Sequence, residues 1–270
     1  MKAISFILSG KTAMFKKPDV NSYAYFTYNN IHKPALLGIF GAIIGLGGYN
    51  QLHHKKEQLK EKMKGLKAKE KKSLQEELDK LNEEYPEFYE KLKDLKISII
   101  PPFDTHGYFT KKIQVFNNSV GYASKEMGGN LIVREQWLEN PKWQIMILDN
   151  GSEEYMKLKE YLSEKKSVYI PYLGKNDHPA NIDEVKEVQL SETVFLDDGK
   201  YIDSLFIKNS DIDGFEKEGE IPFVFQESSP ITLQEEHHFY ENKFLCFTNC
   251  ELEKIPDSCY SIEHKNYAFI

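Results

Sequence analysis

Arginine is almost missing from this chain: of its 35 lysines and arginines, only Arg134 is an arginine. Any anion it meets is therefore held mainly by ammonium point charges, without the two-pronged guanidinium fork. Cysteine is scarce as well. Cys246, Cys250 and Cys259 all stand near the C-terminus. An odd, sparse set excludes a disulfide framework and favours a reducing, cytoplasmic compartment. Long hydrophobic runs are lacking. The most apolar stretch, residues 34–49, is too short and too rich in glycine to span a bilayer, so no membrane partner is expected. Residues 1–8 lack the layered organisation of a signal peptide.

Cofactor and metal motifs are missing too. His237 and His238 with the three cysteines show no CxxC spacing, and Cys246 and Cys250 fit the alternation of a buried strand. Asp211-Ile212-Asp213-Gly214 resembles the start of a calcium loop without its later ligands. Gly45-Leu46-Gly47-Gly48 closes a helix, whereas a dinucleotide fingerprint opens one. No cofactor and no metal is expected.

What is present is core material. Hydrophobic residues make up 40% of the 270, with 17 Phe and 16 Tyr, beside 29% charged residues. This is a globular composition. The net charge of −7 argues against a general nucleic-acid binder, but it is unevenly spread. Residues 1–150 sum to +6 and residues 151–270 to −13. Such a split fits a polyanion on one face only, or a merely uneven surface.

Hydrophobic periodicity and turn residues give the order of elements. Residues 2–8 form a strand, ended by Ser9-Gly10-Lys11. Residues 11–33 form a long loop, polar and aromatic. Pro34 opens a helix over 34–46 that is apolar nearly all round, with Gly38, Gly41 and Gly45 pointing to close packing on a sheet. Residues 51–96 turn Lys- and Glu-rich with a leucine stripe, which predicts an inserted helical hairpin. Strands follow at 97–100, 111–116, 131–137 and 143–148. The segment 117–130 forms a long hairpin tip. Ser152 caps a helix to about 163. Residues 168–180 read as a short strand entering a Gly/Pro turn, and 185–190 as another strand. The fold class is α+β. A ferredoxin-like (RRM-like) domain is expected over 1–190, with the 51–96 insertion and a thumb-like hairpin at 104–138. A small antiparallel β domain is expected over 191–270, from apolar runs at 193–196, 204–207, 222–225 and 243–247.

Four stretches carry a resemblance: Phe6-Ile7-Leu8-Ser9-Gly10; Ala13-Met14-Phe15-Lys16-Lys17-Pro18; Thr27-Tyr28; and the glycine-rich helix from Pro34 to Gly45. Together they resemble the opening of the Cas-five family, RAMP subunits of type I CRISPR Cascade complexes, with subtype I-B members the nearest in pattern. The run from Tyr172 to Ala180 resembles that family's second glycine-containing turn. The resemblance implies a subunit that binds the 5′ handle of the CRISPR RNA and caps the backbone filament. Its partners would be the backbone subunits and the large subunit, with target DNA met indirectly. A thumb hairpin would touch the guide.

The residues themselves are compatible with that role, since single-stranded RNA is met by cations, backbone amides and aromatic rings. The candidate contacts are Gly10, Lys11, Phe15, Lys16, Lys17, Tyr28 and Lys33 in the first loop, with Tyr23 and Tyr25 beside them. Lys111, Lys112, Tyr122, Lys125 and Arg134 belong to the thumb. Tyr172, Gly174, Lys175 and His178 form the later turn, where Gly174 would let the backbone approach a phosphate. No catalysis is expected. Family members that cleave precursor RNA are similar to one another in a Tyr with an adjacent Lys-His pair, and this chain has no Lys-His dipeptide. The alternative is a metal-independent endoribonuclease built on Tyr28, His32 and Lys33, or on His106 with Lys111, which needs a base, an acid and a cation. A third reading is a protein–protein adaptor acting through the 51–95 helices.

Overall fold

The structure, a computed structural model, describes residues 1–18, 23–118, 131–192, 200–208 and 221–270. In chain order the elements are β1 (Lys2–Ser9), β2 (Thr12–Ala13), α1 (Lys33–Ile44), α2 (Tyr49–Met63), α3 (Ala68–Glu83), α4 (Glu87–Leu92) and β3 (Ile97–Ile100). Then come β4 (Lys111–Asn118), β5 (Leu131–Glu139), β6 (Lys142–Leu148), α5 (Glu153–Ser163), β7 (Asn181–Gln189) and β8 (Ser191–Glu192). The C-terminal strands are β9 (Phe206–Ile207), β10 (Val224–Leu233), β11 (Tyr240–Thr248), β12 (Cys259–Ile262) and β13 (Lys265–Ala268). The expected run at 193–196 and the acidic loop at 211–214 lie outside the described residues.

The central sheet has the order β3-β6-β1-β7, antiparallel throughout. With α1 after β1 and α5 after β6, this is the split β-α-β-β-α-β plan of the ferredoxin-like class. Alternation along β1 decides the two faces. Ile4, Phe6 and Leu8 point into the core shared with α1, α4 and α5. Ala3 packs on the other face with Met146, Leu148, Leu190, Tyr267 and Phe269. Ala3, Ile4, Phe6 and Leu8 are all buried because the sheet is covered on both sides.

Helix α1 is apolar nearly all round because four elements surround it. The expected glycine packing is real, but its partner is a helix. A Cβ on Gly41 would lie 2.5 Å from Cβ of Phe88 in α4, so α4 crosses α1 at this point. Gly45 ends the helix at φ 83°, the left-handed cap that glycine adopts most readily. The last carbonyls of α1 find outside donors. Ile43 accepts from the Val168 N–H at 2.9 Å and Ala42 from the Tyr169 N–H at 3.0 Å. Residues 168–170 are therefore a capping segment and not the expected strand, since two of their amides serve the end of a helix. The following strand, β7, starts four residues before the expected 185.

The insertion begins at Tyr49 and divides in two. Helices α2 and α3 pack on one another. Pro86 breaks the leucine stripe, and α4 beyond it packs on α1. Thus Phe88, Tyr89 and Leu92 serve the core and not the hairpin. Among the described residues no single helix is long and apolar enough to cross a membrane.

After residue 190 the strands form two three-stranded sheets, β10-β11-β9 and β13-β12-β8. Phe225, Ile231, Leu233, Leu245 and Phe247 join the main core. Tyr267 and Phe269 close the far face of the central sheet. Ile270 pairs with Ile97 by two backbone hydrogen bonds of 3.1 and 2.9 Å, which covers the β3 edge. Cys246 is buried in β11 with its thiol pushed up to about 12 by desolvation. Cys250, expected to continue that strand, lies beyond its end at Thr248.

Candidate nucleic-acid interface

The loop before α1 is more ordered than its composition suggests. Lys16 and Thr27 form an antiparallel bridge, and Lys17 N–H donates to Phe26 O at 2.8 Å. Tyr28 N–H donates to Phe15 O at 2.9 Å, and Phe15 N–H to the Thr27 hydroxyl at 2.9 Å. This narrow hairpin docks on β5, where Tyr25 N–H donates to Arg134 O and Gln136 N–H to Tyr25 O, each at 2.9 Å. The hairpin has a buried set, Met14, Phe15, Thr27 and Tyr28, and an outward set, Lys16, Tyr23, Tyr25 and Phe26.

The outward set forms a cation–aromatic band. Lys16 Nζ lies 3.8 Å from the Tyr25 ring centroid, and the Arg134 guanidinium 4.7 Å from that of Tyr23. Tyr23 is 69% exposed, and Tyr25 and Phe26 are also open to solvent. The band continues onto the β2-β5-β4 sheet. Register places Val115 opposite Arg134, Ile113 opposite Gln136, and Asn117 opposite Ile132. Ile113, Val115 and Ile132 are all about half exposed. Rings, aliphatic surface and two cations thus share one open face, which suits unstacked bases beside phosphates.

The inward set corrects several expectations. Phe15 and Tyr28 are buried core residues and offer no ring to a base. Gly10 is buried against Leu173, with its N–H donating to Pro141 O. Lys33 is buried. Desolvation first, and then Lys96, lower its ammonium to about 8 against the opposing pull of Asp94. Lys11 is exposed and Lys17 is paired with Glu227 at 3.1 Å. Lys111 is exposed, while Lys112 pairs with Glu139 at 3.3 Å. Tyr122 and Lys125 lie outside the described residues, as does most of the expected hairpin tip.

The turn at 172–180 covers the opposite face of the same hairpin. Lys175 Nζ donates to both Glu135 carboxylate oxygens at 2.8 Å, and Trp137 Nε1 donates to the same carboxylate at 3.0 Å. His178 is fully buried, its ring perpendicular to that of Trp137 with centroids 4.6 Å apart and its Nδ1 2.7 Å from the Thr12 hydroxyl. Burial holds its pKa below the ordinary range. Gly174 sits at φ 89°, where a Cβ would fall 1.9 Å from Met14 O. The backbone it admits is therefore its own chain's and not a phosphate. Gly174, Lys175 and His178 tie two loops together, and of that turn's candidates Tyr172 remains exposed.

Tyr28, His32 and Lys33 of the alternative catalytic reading are also internal, whereas His106 and Lys111 are exposed. His32 is the N-cap of α1, with Nδ1 accepting the Ala35 N–H at 3.2 Å. Its ring is packed edge-on among Phe15, Tyr28 and Tyr240. Burial lowers its pKa to about 3, so it is neutral at physiological pH. His106 stacks on Phe223 at 4.4 Å.

Sequence reasoning missed a cleft of about 800 Å³ on the sheet face opposite the helices. Lys142, Gln144, Tyr108, Asp203, Lys265 and Tyr267 are among its walls. They come from segments far apart in the chain, so no local pattern marks it. Among the described residues, no group of three or more His, Cys, Asp or Glu could hold a metal ion.

No known protein-family profile matches the chain, and no curated protein matches it in sequence. Solved structures do resemble it in outline. A chain of a CRISPR RNA-guided surveillance complex has TM-score 0.44 and 11% identity, covering 93% of this chain and 91% of that one. A CRISPR protein from Archaeoglobus fulgidus has TM-score 0.42 and 11% identity, covering 99% and 98%. A Cas protein has TM-score 0.40 and 10% identity, covering 92% and 95%. At this level the likeness adds nothing to what the strand order already shows.

Proposed function

We propose that this chain is a non-catalytic RNA-binding subunit of a type I CRISPR complex of I-B character. In this reading it binds the 5′ handle of the CRISPR RNA and caps the backbone filament. Its protein partners are the backbone subunits and the large subunit, and target DNA is reached through them. The observation that carries the proposal is the open band of Lys16, Tyr25, Tyr23 and Arg134. Its Lys16, Tyr23 and Tyr25 stand on the loop whose residues resemble the Cas-five family, and its Arg134 stands on the hairpin that would serve as the thumb. Cations over exposed rings are suited to a flexible single strand, which offers phosphates and unstacked bases together.

The burial of Tyr28, His32 and Lys33 favours binding over cleavage. A base for a 2′-hydroxyl must reach it within hydrogen-bond distance. His32 instead spends Nδ1 on a helix cap inside an aromatic shell. The test is incubation of the purified protein with labelled repeat RNA in the absence of metal. Retention of intact RNA, with the handle preferred over scrambled sequence, is expected. Specific cleavage to a cyclic phosphate end would overturn the non-catalytic reading. Indifference to the handle, alone and in the assembled complex, would overturn RNA capping and leave the adaptor.

A further inference from the structure

The helical insertion between α1 and β3 is electrically polar along its length. Residues 60–72, around the turn joining α2 to α3, hold seven lysines against two glutamates. Residues 73–90, leading back to the domain, hold seven acidic residues against Lys80 alone. Lys60 and Lys62 end α2, where a helix dipole welcomes cations. Lys71 and Lys72 are the fourth and fifth residues of α3, with Lys67 just before it, near the end where the dipole does not favour cations. Lys62, Lys64 and Lys72 are exposed. Lys60 pairs with Glu57 at 2.7 Å. One acid, Glu70, stands at the start of α3, among lysines at 67, 69, 71 and 72. Seven lysines against two glutamates leave a local excess of positive charge that a polyanion from outside can neutralise.

The same segment shows which polyanion. Between Tyr49 and Tyr85 there is no Phe, Tyr or Trp. A groove for single strands adds rings on which bases stack, as the band near Lys16 does and this tip does not. Leu52, Leu59 and Leu78 are already buried, and no large apolar side chain between residues 50 and 84 is exposed among the described residues. A membrane-surface helix would keep such a face open. Lysine alone, on a tip whose helices pack only on each other to any extent, fits contacts that position a protein on phosphates without reading sequence.

We infer that the tip of the α2–α3 hairpin binds the phosphate backbone of double-stranded nucleic acid. This site is separate from the RNA band and does not depend on the function proposed above. The test uses the full-length chain and a fluorescent mixed-sequence DNA duplex, with anisotropy followed across a salt series. The variant replaces Lys62, Lys64, Lys67, Lys71 and Lys72 with Gln. Its duplex affinity should fall at least about tenfold, with the slope of log K against log salt shallower by about 0.9 for each phosphate no longer neutralised. The fall should be equal for unrelated duplex sequences. Arginine at the same five positions should retain binding, since the charge is kept, and thermal melting should show every variant folded. Any of three outcomes would overturn the inference. In the first, the Gln variant binds duplex as tightly as the parent. In the second, its affinity for single-stranded RNA falls to the same extent. In the third, it no longer binds phosphatidylserine vesicles yet keeps the duplex.

Discussion

Lys175 donates to both carboxylate oxygens of Glu135, and the two ends of this pair are unequally buried. The Lys175 side chain is 34% exposed and that of Glu135 only 9%. The pair fastens the 172–180 turn to β5 behind the proposed RNA face. Lys175→Met strands a nearly buried carboxylate, with Trp137 Nε1 still donating to it. Glu135→Gln leaves an ammonium that can turn toward Asp177, now 3.6 Å away, or toward water. The lysine substitution should cost about 2–3 kcal/mol and the glutamate one about 1 kcal/mol, discounted for the exposed end. Urea denaturation of both variants checks the order. An equal or reversed cost would show that the pair is not asymmetric.

Gly174 predicts a sharper contrast. Gly174→Ala combines a positive φ with a Cβ placed 1.9 Å from Met14 O, a backbone atom that cannot swing aside. Gly151 has φ 72° but nothing within 4 Å. Gly151→Ala should cost about 1 kcal/mol, the left-handed penalty alone. Gly174→Ala should exceed about 3 kcal/mol or prevent folding, because the two loops must separate. Melting temperatures of the two variants distinguish the terms.

His32 gives a pH prediction. Its pKa is about 3 when folded against 6.5 for the free side chain. The unfolded chain therefore binds a proton that the folded chain refuses. The stability contributed by the neutral ring is present above about pH 6.5 and is lost as pH falls toward 3, by up to about 1.4 kcal/mol per unit. His32→Asn keeps an oxygen to cap α1 but cannot titrate. The difference in urea midpoint between parent and variant should shrink steadily from pH 6.5 downward. A constant difference would mean that the ring is protonated in the folded protein.

The proposed RNA face is tested by separating charge from rings. Lys16→Gln with Arg134→Gln should weaken binding to repeat RNA and flatten its salt dependence by about 0.7 for each phosphate no longer neutralised. Tyr23→Ala and Tyr25→Ala should each weaken it by about 1–3 kcal/mol with little change in salt dependence, if a base stacks there. Phe15→Leu, on the buried side of the same loop, should lower the melting temperature and leave the affinity of the folded protein unchanged.

The elements that were legible in the sequence are those whose signals are local. The run at residues 2–8, Pro34 before an apolar helix and Ser152 before Glu153 and Glu154 each declare an element within a few residues. Their order is enough to name the β-α-β-β-α-β plan. The helical insertion announced itself by an abrupt change of composition, and Pro86 by its missing N–H.

Sequence alone placed Lys16, Tyr25 and Arg134 among candidate residues, but it gave Phe15, Tyr28, Gly174 and His178 the same standing. All carry side-chain chemistry or backbone freedom that RNA could use. What separated them was tertiary. Phe15 is buried edge-on to Trp143, more than a hundred residues away, and Tyr28 is buried edge-on to His32. Gly174 is needed for Met14, His178 meets Trp137, and Val168 and Tyr169 serve the end of α1; each partner lies far along the chain. Composition, turn chemistry and period determined which elements exist and which charges they carry. Only the packed structure decided which side chains face solvent, because burial depends on neighbours that local sequence does not contain.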